Sequence, residues 1–67
     1  MLENWERILI IDDHPLFADG LKAAIGTIAS HIYVQIARTG NSGIELAQSR
    51  DYDLVFLDLK LPDIGGI

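Results

Sequence analysis

The sequence predicts an α/β fold in which three parallel strands alternate with two helices as β-α-β-α-β, and three observations predict it. Arg7-Ile8-Leu9-Ile10-Ile11 and Asp53-Leu54-Val55-Phe56-Leu57 are, after their charged first residues, apolar at successive positions. That is the pattern of strands buried on both faces, since a half-buried strand alternates polar with apolar. Both runs stop in acid, at Asp12-Asp13 and at Asp58. Between the runs the apolar spacing turns helical, so each helix must carry the chain from the end of one strand to the start of the next, which makes the strands parallel.

Residues 1–6 read as a polar lead. The first strand covers Arg7 to Ile11, aliphatic and largely β-branched. After Asp12-Asp13-His14, Pro15 suits the first helical position, where its fixed φ fits and its missing N–H costs nothing. Phe17, Leu21, Ala24, Ile25 and Ile28 then form one stripe of an amphipathic helix, with Asp19 and Lys22 off it. Ile32-Tyr33-Val34-Gln35-Ile36-Ala37 alternates at Ile32, Val34 and Ile36 and reads as a second strand, at a sheet edge. Thr39-Gly40-Asn41-Ser42-Gly43 is turn chemistry. Ser42-Gly43-Ile44-Glu45 matches a capping box, and Thr39 is the alternative cap for an earlier start. Ile44, Leu46 and Ala47 give a short second helix that fades through Ser49-Arg50-Asp51 before the third strand.

Right-handed crossovers with the first strand between the other two place the helices on opposite faces. This is the flavodoxin-like arrangement, strand order 2-1-3, with a switch point between the ends of the first and third strands. It brings Asp12 and Asp13 next to Asp58.

Composition narrows the setting. The 67 residues contain no cysteine, carry a formal net charge of −5 and are 49% hydrophobic with positive mean hydropathy. They suit one small domain in a reducing compartment. No apolar run reaches membrane-spanning length and the start lacks a signal-peptide pattern, so the expected location is cytoplasmic, with no membrane partner. The acidic balance argues against a direct grip on nucleic acid. It does not argue against holding a cation.

Three carboxylates at one sheet edge repel by about 1 to 3 kcal/mol per pair near 5 Å. A hard cation relieves that repulsion, and Mg²⁺, which takes oxygen ligands and is held by one or two carboxylates plus a substrate phosphate, fits the set better than Zn²⁺. Asp58, alone at its strand end, is the natural nucleophile for an aspartyl phosphate. Asp12 and Asp13 are then metal ligands, one direct and one through water or as an orienting group. The plainer reading of Asp12 and Asp13 is a turn that starts a helix, and of Asp58 a strand terminator.

Ile10-Ile11-Asp12-Asp13-His14-Pro15 together with Asp53-Leu54-Val55-Phe56-Leu57-Asp58-Leu59-Lys60-Leu61-Pro62 resemble the receiver domain of two-component response regulators, with the Asp13 to Asp58 separation of 45 residues also matching. The resemblance implies that Asp58 accepts a phosphoryl group from the phosphohistidine of a sensor histidine kinase. It implies a Mg²⁺ site at Asp12, Asp13 and Asp58, favouring Asp13 as direct ligand and completed by the backbone carbonyl of Lys60. The Asp-Asp-His-Pro turn is similar to regulators with a LuxR-type helix-turn-helix output, which implies a DNA-binding transcription factor as parent and DNA contact only through a domain outside this chain. By the same resemblance residues 7–67 are a partial receiver. A complete one continues through two more strands and three helices, which bring a hydroxyl residue, a switch aromatic and a lysine whose place neither Lys22 nor Lys60 matches. Gly65 stands where the family often has Asp or Asn, and Gly43 where it often has Ala.

The expectation is therefore a phosphoacceptor rather than a conventional enzyme, weak or inactive as this segment alone. The alternative is a non-catalytic module that dimerises or pairs through an open third-strand edge. A phosphatase using an aspartyl phosphate fits poorly, because Lys60 stands where its general acid belongs. His14 and His31 lack a second nitrogen or sulfur ligand at useful spacing and are read as solvated. Phe17, Leu21 and Ile25 are read as core, and Trp5 as a packed lead-in or an exposed contact.

Overall fold

The computed structural model describes residues 2–61. Pro62 and Gly65, to which the sequence reading extended, lie outside the described residues. A single 3₁₀ turn, Leu2–Asn4, precedes β1 (Arg7–Ile11), α1 (Pro15–Ile28), β2 (Tyr33–Ala37), α2 (Gly40–Ser49) and β3 (Leu54–Leu57). The strands form one parallel sheet in the order β2-β1-β3. Fold class and strand order are those the sequence predicts.

Register explains the core. Ile8 pairs with Val34 and Leu54, and Ile10 with Ile36 and Phe56, so these side chains share one face, while Leu9 and Ile11 point to the other. On the first face Ile8 and Ile10 pack with Ala18, Ala29, Ile32 and Val34, flanked by Leu21 and Ile25 of α1 and by Trp5 of the lead. On the second, Leu9 and Ile11 pack with Ala37, Leu61 and Leu46 of α2. Leu9 and Ile10 are fully buried, each worth about 1.5 to 3 kcal/mol of transfer free energy. β1 is thus the strand covered on both faces.

β3 is not. Its four residues are exposed, Phe56 by 40% and Leu57 by 44%, which corrects the reading of a strand buried on both faces. An apolar run records what a strand can bury, and no described element packs across its outer edge. The α1 stripe also shifts: Ala18, Leu21 and Ile25 face the sheet, whereas Phe17, Ala24 and Ile28 are exposed. Small Ala18 allows the close approach that Phe17 would prevent.

α2 starts earlier than the capping box at Ser42. Thr39 is the N-cap, its hydroxyl accepting from the Ser42 N–H at 3.1 Å. Gly43 in this helix lies directly against β1, where a Cβ would sit 2.5 to 2.7 Å from three side-chain carbons of Ile11. Asp53 ties the lead to β3, its carboxylate accepting from the Glu6 N–H at 2.6 Å and the Arg7 N–H at 3.0 Å.

Candidate functional site

The site forms where β1 and β3 end side by side. Beyond β1 the Asp12 N–H donates to the Ala37 carbonyl at 3.0 Å, and beyond β3 the Asp58 N–H donates to the Ile11 carbonyl at 2.9 Å. Both aspartates are therefore held by continuations of the strand ladders rather than by loop packing. Asp13 follows in the turn before α1.

Asp12, Asp13, His14 and Asp58 each present a ligand atom, all within 4.8 Å of one another. The structure thus brings together the three carboxylates that the sequence selects. Lys60 is adjacent: its N–H donates to Asp58 Oδ1 at 2.9 Å. That bond leaves Oδ2 as the second oxygen of Asp58. Oδ2 is buried without a hydrogen-bond partner among the described residues, although His14 Nδ1 lies 3.3 Å away as an ion-pair contact.

Asp12 is 3% exposed. Burial pushes its carboxyl towards the neutral form, but the His14 backbone N–H at 2.8 Å and the His14 ring outweigh this, with a smaller contribution from Asp58, and the pKa falls below its ordinary value. A buried carboxylate held ionised among other carboxylates is a strong cation attractor.

His14 is the residue that sequence reasoning leaves out. Its ring is 62% exposed, as a solvated side chain should be, yet Nδ1 lies 2.7 Å from Asp12 Oδ1 and 3.2 Å from Asp13 Oδ1 as well as near Asp58. The Asp12 hydrogen bond and charge, then Asp13 and Asp58, raise its pKa against a small opposing effect of burial. The sequence signal is Asp12 itself, because an aspartate in a turn accepts from the backbone two residues on. That bond fixes the residue whose ring then reaches the cluster.

Asp12, His14, Phe17, Phe56, Asp58 and Lys60 line an open cleft of about 470 Å³. Phe17 and Phe56 meet there with ring centroids 5.8 Å apart. Phe17, read as core from its periodicity, is instead a wall of this cleft. The donor set fits Mg²⁺: three carboxylates offer oxygen, and the buried Asp58 Oδ2 lacks the hydrogen bond that a buried carboxylate oxygen requires.

Residues 8–67 match the family described as Response regulator receiver domain. The nitrate/nitrite response regulator protein NarL of Escherichia coli (strain K12) is 45% identical over 60 residues, covering 90% of this chain and 28% of that protein. The transcriptional regulatory protein DegU of Brevibacillus brevis is 31% identical over 65 residues, covering 97% of this chain and 28% of DegU. The cell cycle transcriptional regulator CtrA of Caulobacter vibrioides is 34% identical over 61 residues, 91% of this chain and 26% of CtrA. The chain spans less than a third of the length of these relatives. No solved structure matches it.

Proposed function

This chain belongs to the response regulator receiver domain family, and from that premise we propose that Asp58 is its phosphoacceptor and that Asp12, Asp13, Asp58 and the Lys60 carbonyl hold a Mg²⁺ ion. The observation that carries the reading is the buried Oδ2 of Asp58, without a hydrogen bond among the described residues, on a carboxylate that clusters with Asp12 and Asp13. A carboxylate oxygen that accepts no hydrogen bond retains its lone pairs for attack.

In the proposed step Asp58 Oδ2 bonds to phosphorus as the phosphorus–nitrogen bond of a kinase phosphohistidine breaks, and the leaving imidazole takes a proton from water. The Lys60 N–H holds Oδ1 and so orients the carboxylate. Asp12, ionised and buried, supplies fixed negative charge that favours a cation beside the incoming phosphoryl group. Bound Mg²⁺ supplies neutralisation of phosphoryl charge. The partner is a sensor histidine kinase, the setting cytoplasmic, and DNA is reached through an output domain of a longer parent protein. No helix among the described residues is long and apolar enough to cross a membrane.

Incubation of the full-length parent with acetyl phosphate and Mg²⁺, followed by intact mass and peptide mapping, is expected to place one phosphoryl group on Asp58. Asp58→Asn should abolish it, and an unchanged yield in that variant would overturn the assignment.

One observation favours a second reading. Leu54, Val55, Phe56 and Leu57 stand open on β3, and an exposed apolar edge strand is a template for pairing with another chain. As an interaction module this chain self-associates through β3, giving a homo-oligomer. Sedimentation at micromolar concentration tests this, and a compact monomer excludes it.

A further inference from the structure

His14 is the one member of the acidic cluster that the phosphoacceptor reading does not use. We propose that His14 is a nitrogen ligand of the divalent-cation site through Nδ1, so that the site prefers a first-row transition cation of the Co²⁺, Ni²⁺ or Zn²⁺ class to Mg²⁺. The inference rests on the acidic site being a cation site, as proposed above, and concerns which cation it takes.

The first support is position. A surface histidine in an ordinary ion pair has one partner, whereas this single nitrogen faces an oxygen of each of three carboxylates, at 2.7 Å for Asp12, 3.2 Å for Asp13 and 3.3 Å for Asp58. These separations are similar to those between neighbouring donors around one cation. With metal–oxygen and metal–nitrogen distances of about 2.1 Å, neighbouring donors lie about 3.0 Å apart in octahedral geometry and about 3.4 Å apart in tetrahedral geometry.

The second support is that the ring does not cap the helix. His14 stands at the N-cap of α1 but makes no side-chain cap bond, at a position where Ser, Thr, Asp or Asn would normally do so. Its backbone is fixed independently, by the 2.8 Å bond from its N–H to Asp12 Oδ1 and by its carbonyl, which accepts from the Ala18 N–H at 3.1 Å. The imidazole is therefore delivered to the carboxylates by a turn that does not depend on the imidazole.

The third support is chemical. Three carboxylates alone suit a hard cation, but an added imidazole moves a site towards the later first-row metals, whose affinities rise along the Irving–Williams order. Balance is simple: as Nδ1 bonds the metal, the proton it shares with Asp12 is released to water, leaving a neutral ring protonated on Nε2. Asp58 Oδ2, buried without a hydrogen bond, gains a partner in the same event.

The test titrates the full chain with Co²⁺ and separately with Mg²⁺ by calorimetry, for the natural sequence, His14→Phe, His14→Gln, Asp13→Asn and Asp58→Asn. Backbone amide spectra confirm that each variant is folded. Loss of the imidazole in either His14 variant is expected to weaken Co²⁺ by about tenfold to a hundredfold while Mg²⁺ stays within about threefold. Proton NMR of the Co²⁺ complex should show one strongly shifted, exchangeable ring N–H that disappears in both His14 variants. His31, whose Nε2 lies 3.1 Å from the Leu2 carbonyl oxygen, is an internal control. Absence of the shifted resonance with Co²⁺ bound overturns the proposal. So does tighter binding of both cations in the His14 variants, since the ring would then be a competitor for the cation's place. Failure at the lower level looks different: if neither cation binds, or if Asp13→Asn and Asp58→Asn bind both unchanged, the cation site itself is refuted.

Discussion

Replacing Gly43 by alanine separates local propensity from tertiary packing. Gly43 lies within α2, where glycine costs up to about 1 kcal/mol relative to alanine, so propensity alone predicts that Gly43→Ala stabilises. The packing predicts the opposite. The new Cβ would stand 2.5, 2.6 and 2.7 Å from Cδ1, Cγ1 and Cγ2 of Ile11, against an optimum of about 3.5 to 4.0 Å between carbons. All three neighbours belong to one buried β-branched side chain, which cannot step aside as a flexible chain end can. Overpacking of this kind costs about 1 to 3 kcal/mol, so the expected net effect is a loss of up to about 2 kcal/mol after the helix gain of about 1 is subtracted.

Ile11→Ala removes all three clashing carbons and by itself should cost about 2 to 5 kcal/mol. In that background Gly43→Ala should become stabilising by about 0.5 to 1 kcal/mol, because the propensity gain is then unopposed. The coupling between the two positions is thus expected at about 1 to 3 kcal/mol. Urea unfolding followed by far-UV circular dichroism reads it, with sucrose added equally to all four proteins so that the weakest remains folded. A Gly43→Ala protein stabilised to the same extent in both backgrounds would refute the close approach of α2 to β1. It would also loosen the account of how Asp12, next after Ile11, is placed.

Three further outcomes follow from the hydrogen bonds and charges. Thr39→Ala removes the N-cap of α2 and should cost about 1 kcal/mol in the same unfolding assay; a change below the noise would deny Thr39 that role. In cation-free buffer the His14 ring should titrate above its ordinary value of 6.5, read by proton NMR with His31 as comparison, and Asp12→Asn should lower that midpoint. The stabilisation from His14 is then fully present below pH 6.5 and is lost as pH rises through the higher folded value, while that from Asp12, whose folded pKa is depressed, is present above its ordinary 3.8 and lost as pH falls through the lower folded value. Asp53, held down first by the Arg7 N–H and then by the Glu6 N–H, contributes with the same sign as Asp12. Asp53→Asn should lower the melting temperature at pH 7 and make little difference well below pH 3.8.

Much of the fold was legible because β1 and its acidic exit speak locally: a run of aliphatic residues, a turn, and Pro15 at a position that suits only a helix start. The convergence of Asp12, Asp13 and Asp58 was legible too, since parallel strands with alternating crossovers leave few layouts. Other features depend on partners distant in sequence. Thr39 and Ser42 are both good caps on local chemistry, and α2 begins at the one that lets Gly43 approach Ile11. Phe17 and Ala18 both fall on a helix face that could turn inward, and the sheet accepts the smaller. His14 reads as solvated because ligand spacing is judged along the chain, whereas its partners are two neighbours in the turn, Asp12 and Asp13, and one carboxylate just beyond another strand, Asp58.

The sequence by itself determined the order of elements, the parallel sheet and the identity of the three carboxylates, because hydrophobic period, turn chemistry and strand-end acids are set by neighbouring residues. Only the tertiary structure decided that β1 is buried on both faces while β3, with an equally apolar sequence, stands open at 40 to 44% exposure. The physical reason is that burial belongs to a pair of surfaces: a strand carries the apolar side chains, and its neighbours in the sheet decide whether water is removed from them. The same reason places His14. The bond from the Asp58 N–H to the Ile11 carbonyl brings a third carboxylate to a turn in which the ring faces two.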